Sequence, residues 1–167
     1  MKYTIQDTFD VSAPKYWEIL FDENFNAELW PYLEIEWELL EFNRTGEGDD
    51  LVVERKQKLT PKRQMPKVMQ KIAGGQIWYV EHNLFRARDN KMDVKATPSV
   101  AADRIDNQGV YRLEVLGDNK VNRIYEGVCD CRVPLVGGKI EEAIVSDVKE
   151  SYRKATEFTR KWIATKL

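Results

Sequence analysis

The C-terminal segment of the chain carries the pattern that limits the fold most strongly. Between residues 138 and 166 an apolar side chain recurs with the period of about 3.6 residues that is typical of an α-helix. At about 1.5 Å per residue this helix would be roughly 40 Å long. Its apolar face is continuous, so the rest of the chain must supply a surface that buries it. The apolar positions are Ile140, Ile144, Val148, Tyr152, Ala155, Phe158 and Trp162.

The preceding residues predict an antiparallel sheet as that surface. Polar and apolar residues alternate over several short segments, which are separated by turn residues such as Asp89-Asn90 and Asp118-Asn119. Sequential hairpins of this kind form a curled sheet with one apolar face. The predicted strands are 2–10, 33–39, 51–60, 76–88, 91–100, 107–117 and 120–134.

Two short helices are predicted between the first two strands. Ser12 is a typical N-cap with Pro14 in the first turn, and Asp22 caps a second helix that ends near Pro31. The fold class is therefore α+β: a seven-stranded curved antiparallel sheet, two short helices after the first strand, and a long C-terminal helix across the sheet. We expect a single domain over residues 1–167, with a pocket between the helix and the sheet.

The register of one hairpin is predicted from its charges. Segment 33–39 carries glutamates on one face, and segment 51–60 carries lysines on the face that would lie beside them. Folding the hairpin about Glu47 places opposite charges and apolar side chains across from each other in one register. The predicted pairs are Glu36 with Lys58, Glu38 with Lys56, Leu39 with Arg55, Trp37 with Gln57, and Ile35 with Leu59.

Cys129 and Cys131 lie two residues apart on a strand, so both side chains project from the same face. A zinc site needs about four ligands, and the chain offers no third cysteine and only one histidine. We therefore predict buried structural cysteines, with no metal and no cofactor. Pro134 ends the strand and Gly137-Gly138 allows the backbone to turn into the C-terminal helix.

This joint, "VPLVGGKIEEAI", together with "YWEILFDENFNAELW" near the start, resembles the START-like superfamily with the helix-grip (SRPBCC) fold. That superfamily includes Bet v 1-type plant proteins, polyketide cyclases and lipid-transfer domains, and the chain is similar to an uncharacterised bacterial branch of it. The resemblance implies a cavity for a lipid, sterol, polyketide or other apolar molecule. It implies no particular chemistry, because fold alone does not fix function.

Composition restricts the class of partner. The chain has 43% hydrophobic and 32% charged residues with a net charge of −2, so no overall charge attracts nucleic acid. The first residues alternate in polarity, unlike the apolar core of a signal peptide. Two cysteines do not form a disulfide framework. We expect a cytoplasmic protein that does not bind nucleic acid.

Candidate ligand-binding residues come from the apolar faces of the strands and the helix. Arg55, Gln57 and Arg123 fall on the same inward face by alternation. A buried arginine must find a partner. It binds the polar head of a ligand, pairs with a helix carboxylate such as Asp147, or lies at the open end of the sheet where it reaches solvent. The predicted apolar and aromatic walls are Trp37, Tyr111, Leu113, Tyr125, Ile144, Val148 and Tyr152.

The strand at 76–88 has two possible inward faces. If Trp78 faces inward, then His82 does too, and this histidine is either a general base or polar anchor in the pocket, or a hydrogen-bonded histidine of the core or rim. Ile77, Tyr79 and Phe85 favour the opposite face. Trp78 and His82 are nevertheless included among the candidate ligand-binding residues.

The segment 55–71 contains seven cations and no acid. Lys62, Arg63, Lys67 and Lys71 remain after the hairpin pairs are assigned. One interpretation is a lid over the cavity mouth that touches an anionic membrane surface. The other is a solvated crossing between two strands with a helical turn.

These observations predict binding or transport of a hydrophobic small molecule or lipid in the cavity. One alternative is a cyclase- or hydrolase-type enzyme that uses His82, Tyr125 or an inward arginine on an apolar substrate. The other is an interaction scaffold with a filled core. The sequence contains no motif of a hydrolase nucleophile, a phosphate-binding loop or a zinc protease, so no catalytic residue is assigned.

Overall fold

The computed structural model describes residues 1–167 and shows one seven-stranded antiparallel sheet. The strands lie in the order β1-β7-β6-β5-β4-β3-β2, so β1 and β2 form the two edges. The predicted helix-grip architecture is confirmed. The elements are β1 (Lys2–Phe9), α1 (Ala13–Phe21), α2 (Glu23–Tyr32), β2 (Ile35–Thr45), β3 (Val52–Pro61), α3 (Lys67–Ala73), β4 (Tyr79–Arg86), β5 (Lys91–Pro98), β6 (Ile105–Gly117), β7 (Lys120–Cys131) and α4 (Gly137–Lys166).

The short helices begin where the predicted caps lie. The Ser12 side chain accepts a hydrogen bond from the Lys15 amide at 3.4 Å, and the Asp22 side chain accepts one from the Phe25 amide at 2.7 Å. Pro31 lies in the last turn of α2, and the following Leu33 is the C-cap. Phe25 of α2 packs edge-on against Phe158 and Trp162 in the C-terminal part of the last helix.

Helix α4 is held against β1 and β7 by a buried polar cluster. Arg123 on β7 donates to Asp7 on β1 in a very short ion pair, and it also donates to the Thr156 hydroxyl of α4 at 2.8 Å. The guanidinium group stacks on the rings of Phe9 and Tyr152 at 5.2 and 4.9 Å. This cluster fixes the position of the helix over the sheet.

The register predicted for the β2–β3 hairpin is wrong. Glu38 lies opposite Lys58 and Leu39 opposite Gln57, which is a shift of two residues. Two features account for the shift. Strand β2 has a bulge between Leu39 and Glu41, and the loop to β3 contains a short helical turn of three residues at Gly48–Asp50. The lysines consequently find other partners, since Lys62 pairs with Glu36 at 2.6 Å and Lys56 with Glu41 at 3.6 Å.

At the joint between β7 and α4, the start of the helix packs closely against the end of the strand. Cys129 and Cys131 are buried and free, and burial raises the pKa of the Cys129 thiol to about 11. The residue in the left-handed conformation is Leu135, with φ of 70°, rather than either glycine. Gly137 is needed for a different reason, because the first turn of α4 lies against the Cys131 carbonyl.

Candidate ligand-binding cavity

A cavity of about 210 Å³ lies between the inner face of the sheet and the helices. All four helices contribute to its walls, and 24 of the 36 lining residues are hydrophobic. The interior is therefore not filled by its own aromatic rings. Of the predicted residues, those that line the cavity are Arg55, Gln57, Tyr111, Arg123, Tyr125, Ile144, Val148 and Tyr152.

Four further residues were predicted to line this cavity, and in the structure none of them does. Trp78 and His82 project from the outer face of the sheet, where Trp78 covers the Lys58 ammonium and His82 lies 2.8 Å from Glu54. Trp37 and Leu113 are on the inner side but do not line the space. Trp37 instead donates to the Gln57 side chain at 3.0 Å and so orients a residue that does.

The inner face of β4 is the one that Tyr79 and Phe85 favoured. Phe85 is 2% exposed and stacks on Trp17 with ring centroids 4.5 Å apart. This arrangement turns Glu81 and Asn83 inward with it. Glu81 and Tyr79 line the cavity and were missed, because a glutamate within an apolar alternation is ordinarily assigned to the solvent side.

Tyrosines form one wall of the cavity. Tyr125 and Tyr152 stack with their ring centroids 5.1 Å apart, and Tyr111 lies 6.2 Å from Tyr152. The hydroxyls of Tyr16 and Tyr111 share a very short hydrogen bond. Burial raises the pKa of Tyr111, Tyr125 and Tyr152 well above the ordinary value of 10.0, so these hydroxyls are neutral at physiological pH. The wall is apolar in its faces and offers hydroxyl groups at its edges.

A chain of polar side chains crosses β3 and β4 on the inner face of the sheet. Arg55 donates to Asn83 at 2.9 Å, and Asn83 donates to Glu81 at 2.9 Å. Gln57 donates to the same Glu81 oxygen at 3.0 Å and accepts from Trp37. Neighbouring strands β3 and β4 thus supply one buried cation and one carboxylate to an otherwise apolar space.

Helix α3 and the residues before it close the remaining side. Met65, Pro66 and Met69 line the cavity. Arg63 fastens this segment to α4, since it pairs with Asp147 at 2.6 Å and donates to the Ser151 hydroxyl at 3.0 Å. Asp147 therefore pairs with Arg63, not with either of the inward arginines.

The two remaining cations of this segment, Lys67 and Lys71, are exposed on α3 and make no salt bridge. Contact of this surface with a membrane stays a prediction, as does the cytoplasmic location. None of the helices is long and apolar enough to cross a lipid bilayer.

A family described as "Protein of unknown function (DUF2505)" matches residues 4–163, nearly the whole chain. The chain belongs to this family. None of the curated proteins matches its sequence.

Solved structures share the fold of this DUF2505 member at low sequence identity. The Zhui aromatase/cyclase from Streptomyces sp. R1128 is 13% identical with a TM-score of 0.64, covering 96% of this chain and 92% of its own. A START superfamily protein from Mycobacterium smegmatis is 13% identical with a TM-score of 0.63, covering 97% and 98%. Norcoclaurine synthase from Thalictrum flavum, in complex with dopamine and hydroxybenzaldehyde, is 11% identical with a TM-score of 0.57, covering 96% and 87%. These likenesses confirm the START-like fold that the sequence predicted.

Proposed function

We propose that this protein binds a small hydrophobic molecule in the cavity between its sheet and α4, and thereby carries or senses it. The observation that supports this function is the unfilled, mostly apolar space of about 210 Å³ inside a closely packed protein. Protein interiors are ordinarily filled to crystal-like density, so a space of this size costs stability unless something occupies it.

The volume limits the size of the ligand. Apolar cavities of about 150 Å³ accept benzene, whereas sites for drug-sized ligands span roughly 300–1,000 Å³. We therefore expect a molecule of one or two rings, or a short aliphatic chain. A sterol or a long acyl chain would fit only if the segment 62–75 moved away from α4. The complex of norcoclaurine synthase with two single-ring molecules is consistent with this size class.

The two alternatives lose support from the geometry. The enzyme alternative relied partly on His82, which lies on the outer face of the sheet with Glu54. Burial moves the tyrosine pKa values away from neutrality, which disfavours proton transfer by these groups. The scaffold alternative required a filled core, and the interior contains a cavity.

A size series tests the proposed function. Purified protein is titrated with benzene, naphthalene, decanoic acid and cholesterol, and binding is followed by calorimetry and by native mass spectrometry. We expect benzene and naphthalene to bind with one site per chain and cholesterol to bind weakly. If none of the four binds, the proposed function is wrong.

A further inference from the structure

The cavity contains a buried cation that has no carboxylate partner. Arg55 is 4% exposed on the inner face of β3. Its Nε donates to the Asn83 side chain at 2.9 Å, and its Nη1 donates to the Leu20 carbonyl at 3.1 Å. Nη2 makes no hydrogen bond to the protein, although Arg55 lines the cavity. The Phe21 ring, 5.0 Å from the guanidinium carbon, closes the other side of the group.

The second buried arginine, Arg123, has the carboxylate partner that Arg55 lacks, although its Nε makes no hydrogen bond. Arg123 is 2% exposed, and it has both an ion pair with Asp7 and a hydrogen bond to Thr156. Arg55 has only neutral acceptors. Burial accordingly lowers the pKa of Arg55 to about 10, from an ordinary value of 12.5. Its positive charge is thus poorly compensated in the empty protein.

Glu81 is the acid that comes closest to compensating Arg55, but it does so through an intermediary. Asn83 lies between them, accepting from Arg55 and donating to Glu81. In the sheet, Arg55 is paired with Asn83 and Gln57 with Glu81, so the two charges are diagonal neighbours. Diagonal positions on neighbouring strands are about 7–8 Å apart at Cα. The cavity wall therefore has a positive end at Arg55 and a negative end at Glu81.

We propose that Arg55 binds a carboxylate on the ligand, so that the cavity takes small aromatic or alicyclic carboxylic acids. This inference rests on the proposed function and specifies its ligand class. Nη1 and Nη2 form one edge of the planar guanidinium group, and Nη2 has no partner in the protein, so this edge is the one that a planar carboxylate would bind. The ring of the acid would then lie among Tyr79, Tyr125 and Tyr152.

Preorganisation favours this selection. Arg55 has already lost its hydration on folding and is held in place by Asn83 and Leu20. A bound acid therefore pays for its own desolvation only, and it meets a fixed donor pair. Glu81 repels the carboxylate and so orients the acid toward Arg55. A neutral amide of the same shape gains the apolar contacts and a hydrogen bond to its carbonyl oxygen, but no charge–charge attraction.

A matched pair of probes tests the ligand class. Naphthoic acid and naphthamide, substituted at the same ring position, have nearly the same shape and differ in charge. We expect the wild-type protein to bind the acid at least about tenfold more tightly at neutral pH, as a charged hydrogen-bond pair implies. Equal affinities, or tighter binding of the amide, would overturn the inference while leaving the proposed function intact. Failure of both probes to bind would overturn the proposed function itself.

Two variants with opposite expected effects test which residues cause the preference for the acid over the amide. Arg55→Gln should remove the preference for the acid, because it weakens the binding of naphthoate at least about tenfold more than the binding of naphthamide. Glu81→Gln should increase the preference, because it removes the repelling charge. The control is Arg86→Gln, whose exposed side chain pairs with Asp93 and does not line the cavity. A preference that survives Arg55→Gln contradicts the inference, and so does a Glu81→Gln variant whose preference is unchanged, even if Arg55→Gln fails to fold.

Discussion

The joint between β7 and α4 gives a sharp prediction, because two adjacent glycines there have opposite surroundings. A Cβ added at Gly137 would lie less than 3.0 Å from the backbone oxygen of Cys131, a separation that real Cβ atoms essentially never show. A Cβ added at Gly138 would meet nothing within 4 Å. Neither glycine has positive φ, so backbone strain does not distinguish them.

The expected free energies follow from these distances. Alanine is favoured over glycine in a helix by up to about 1 kcal/mol, and Gly138→Ala should gain part of this. Gly137→Ala gains the same amount but must push the helix start away from Cys131. Overpacking in a closely packed region typically costs about 1–3 kcal/mol, and here the opposing atom belongs to the backbone and cannot rotate away. We therefore expect Gly137→Ala to lower the free energy of unfolding by about 1–3 kcal/mol.

Urea unfolding followed by tryptophan fluorescence measures both variants. Gly138→Ala should unfold at the wild-type urea concentration or slightly above it. Gly137→Ala should unfold earlier, with a fall in melting temperature of roughly 2–12 °C for a chain of this size. Equal stabilities for the two variants would refute the proposed close approach, and with it the description of how the helix is placed over the sheet.

Two further predictions concern pH and the basic surface. Burial raises the pKa of Cys129 from 9.0 to about 11, so the unfolded chain loses this proton first and the free energy of unfolding should fall as pH rises above about 9. This thiol contributes a fall of up to about 1.4 kcal/mol per pH unit, so urea unfolding between about pH 9 and 10 should show a shallower slope for Cys129→Ala than for the wild type. Above about pH 10 the buried tyrosines add a fall of the same sign in both proteins, so a Cys129→Ala protein with the wild-type slope between about pH 9 and 10 would contradict the assignment. If the α3 surface touches anionic membranes, Lys67→Gln with Lys71→Gln should weaken the free energy of binding to phosphatidylserine vesicles by about 2 kcal/mol, as measured by co-sedimentation. The control pair, Lys91→Gln with Lys95→Gln on β5, should leave this binding free energy unchanged. Equal losses for the two pairs would exclude a specific role of α3.

The sequence predicted the architecture because its two periods are unambiguous. The 138–166 segment repeats with a helical period, and the turn residues at Asp89-Asn90 and Asp118-Asn119 mark hairpins that the structure contains. The inward face of β7 was also predicted correctly, since Arg123, Tyr125, Cys129 and Cys131 are all buried. Local patterns carry this information directly.

The errors arose where the pattern was compatible with two answers. Strand β4 has apolar residues on both faces, so alternation alone did not decide between Trp78 and Tyr79. The β2–β3 register depended on a bulge at Leu40 and on a helical turn in the loop, and charge matching carries no information on either. The inward Glu81 was missed because its burial is stabilised by Asn83 and Gln57 on other positions of the sheet. Asn83 lies two residues away on the same strand, but Gln57 lies on β3 and becomes known as a partner only once the register is known.

If the space beneath α4 is a binding cavity, a side chain that fills it should displace the ligand. Ala143 on α4 lines the cavity, whereas Ser146 lies on the exposed side of the same helix. Ala143→Trp should abolish measurable binding of naphthamide and cost less than about 1 kcal/mol of stability, because the new ring enters existing space, and Ser146→Trp should leave binding unchanged. An Ala143→Trp protein that binds naphthamide with the wild-type Kd, or that loses about 1–3 kcal/mol as an overpacked core would, contradicts the account.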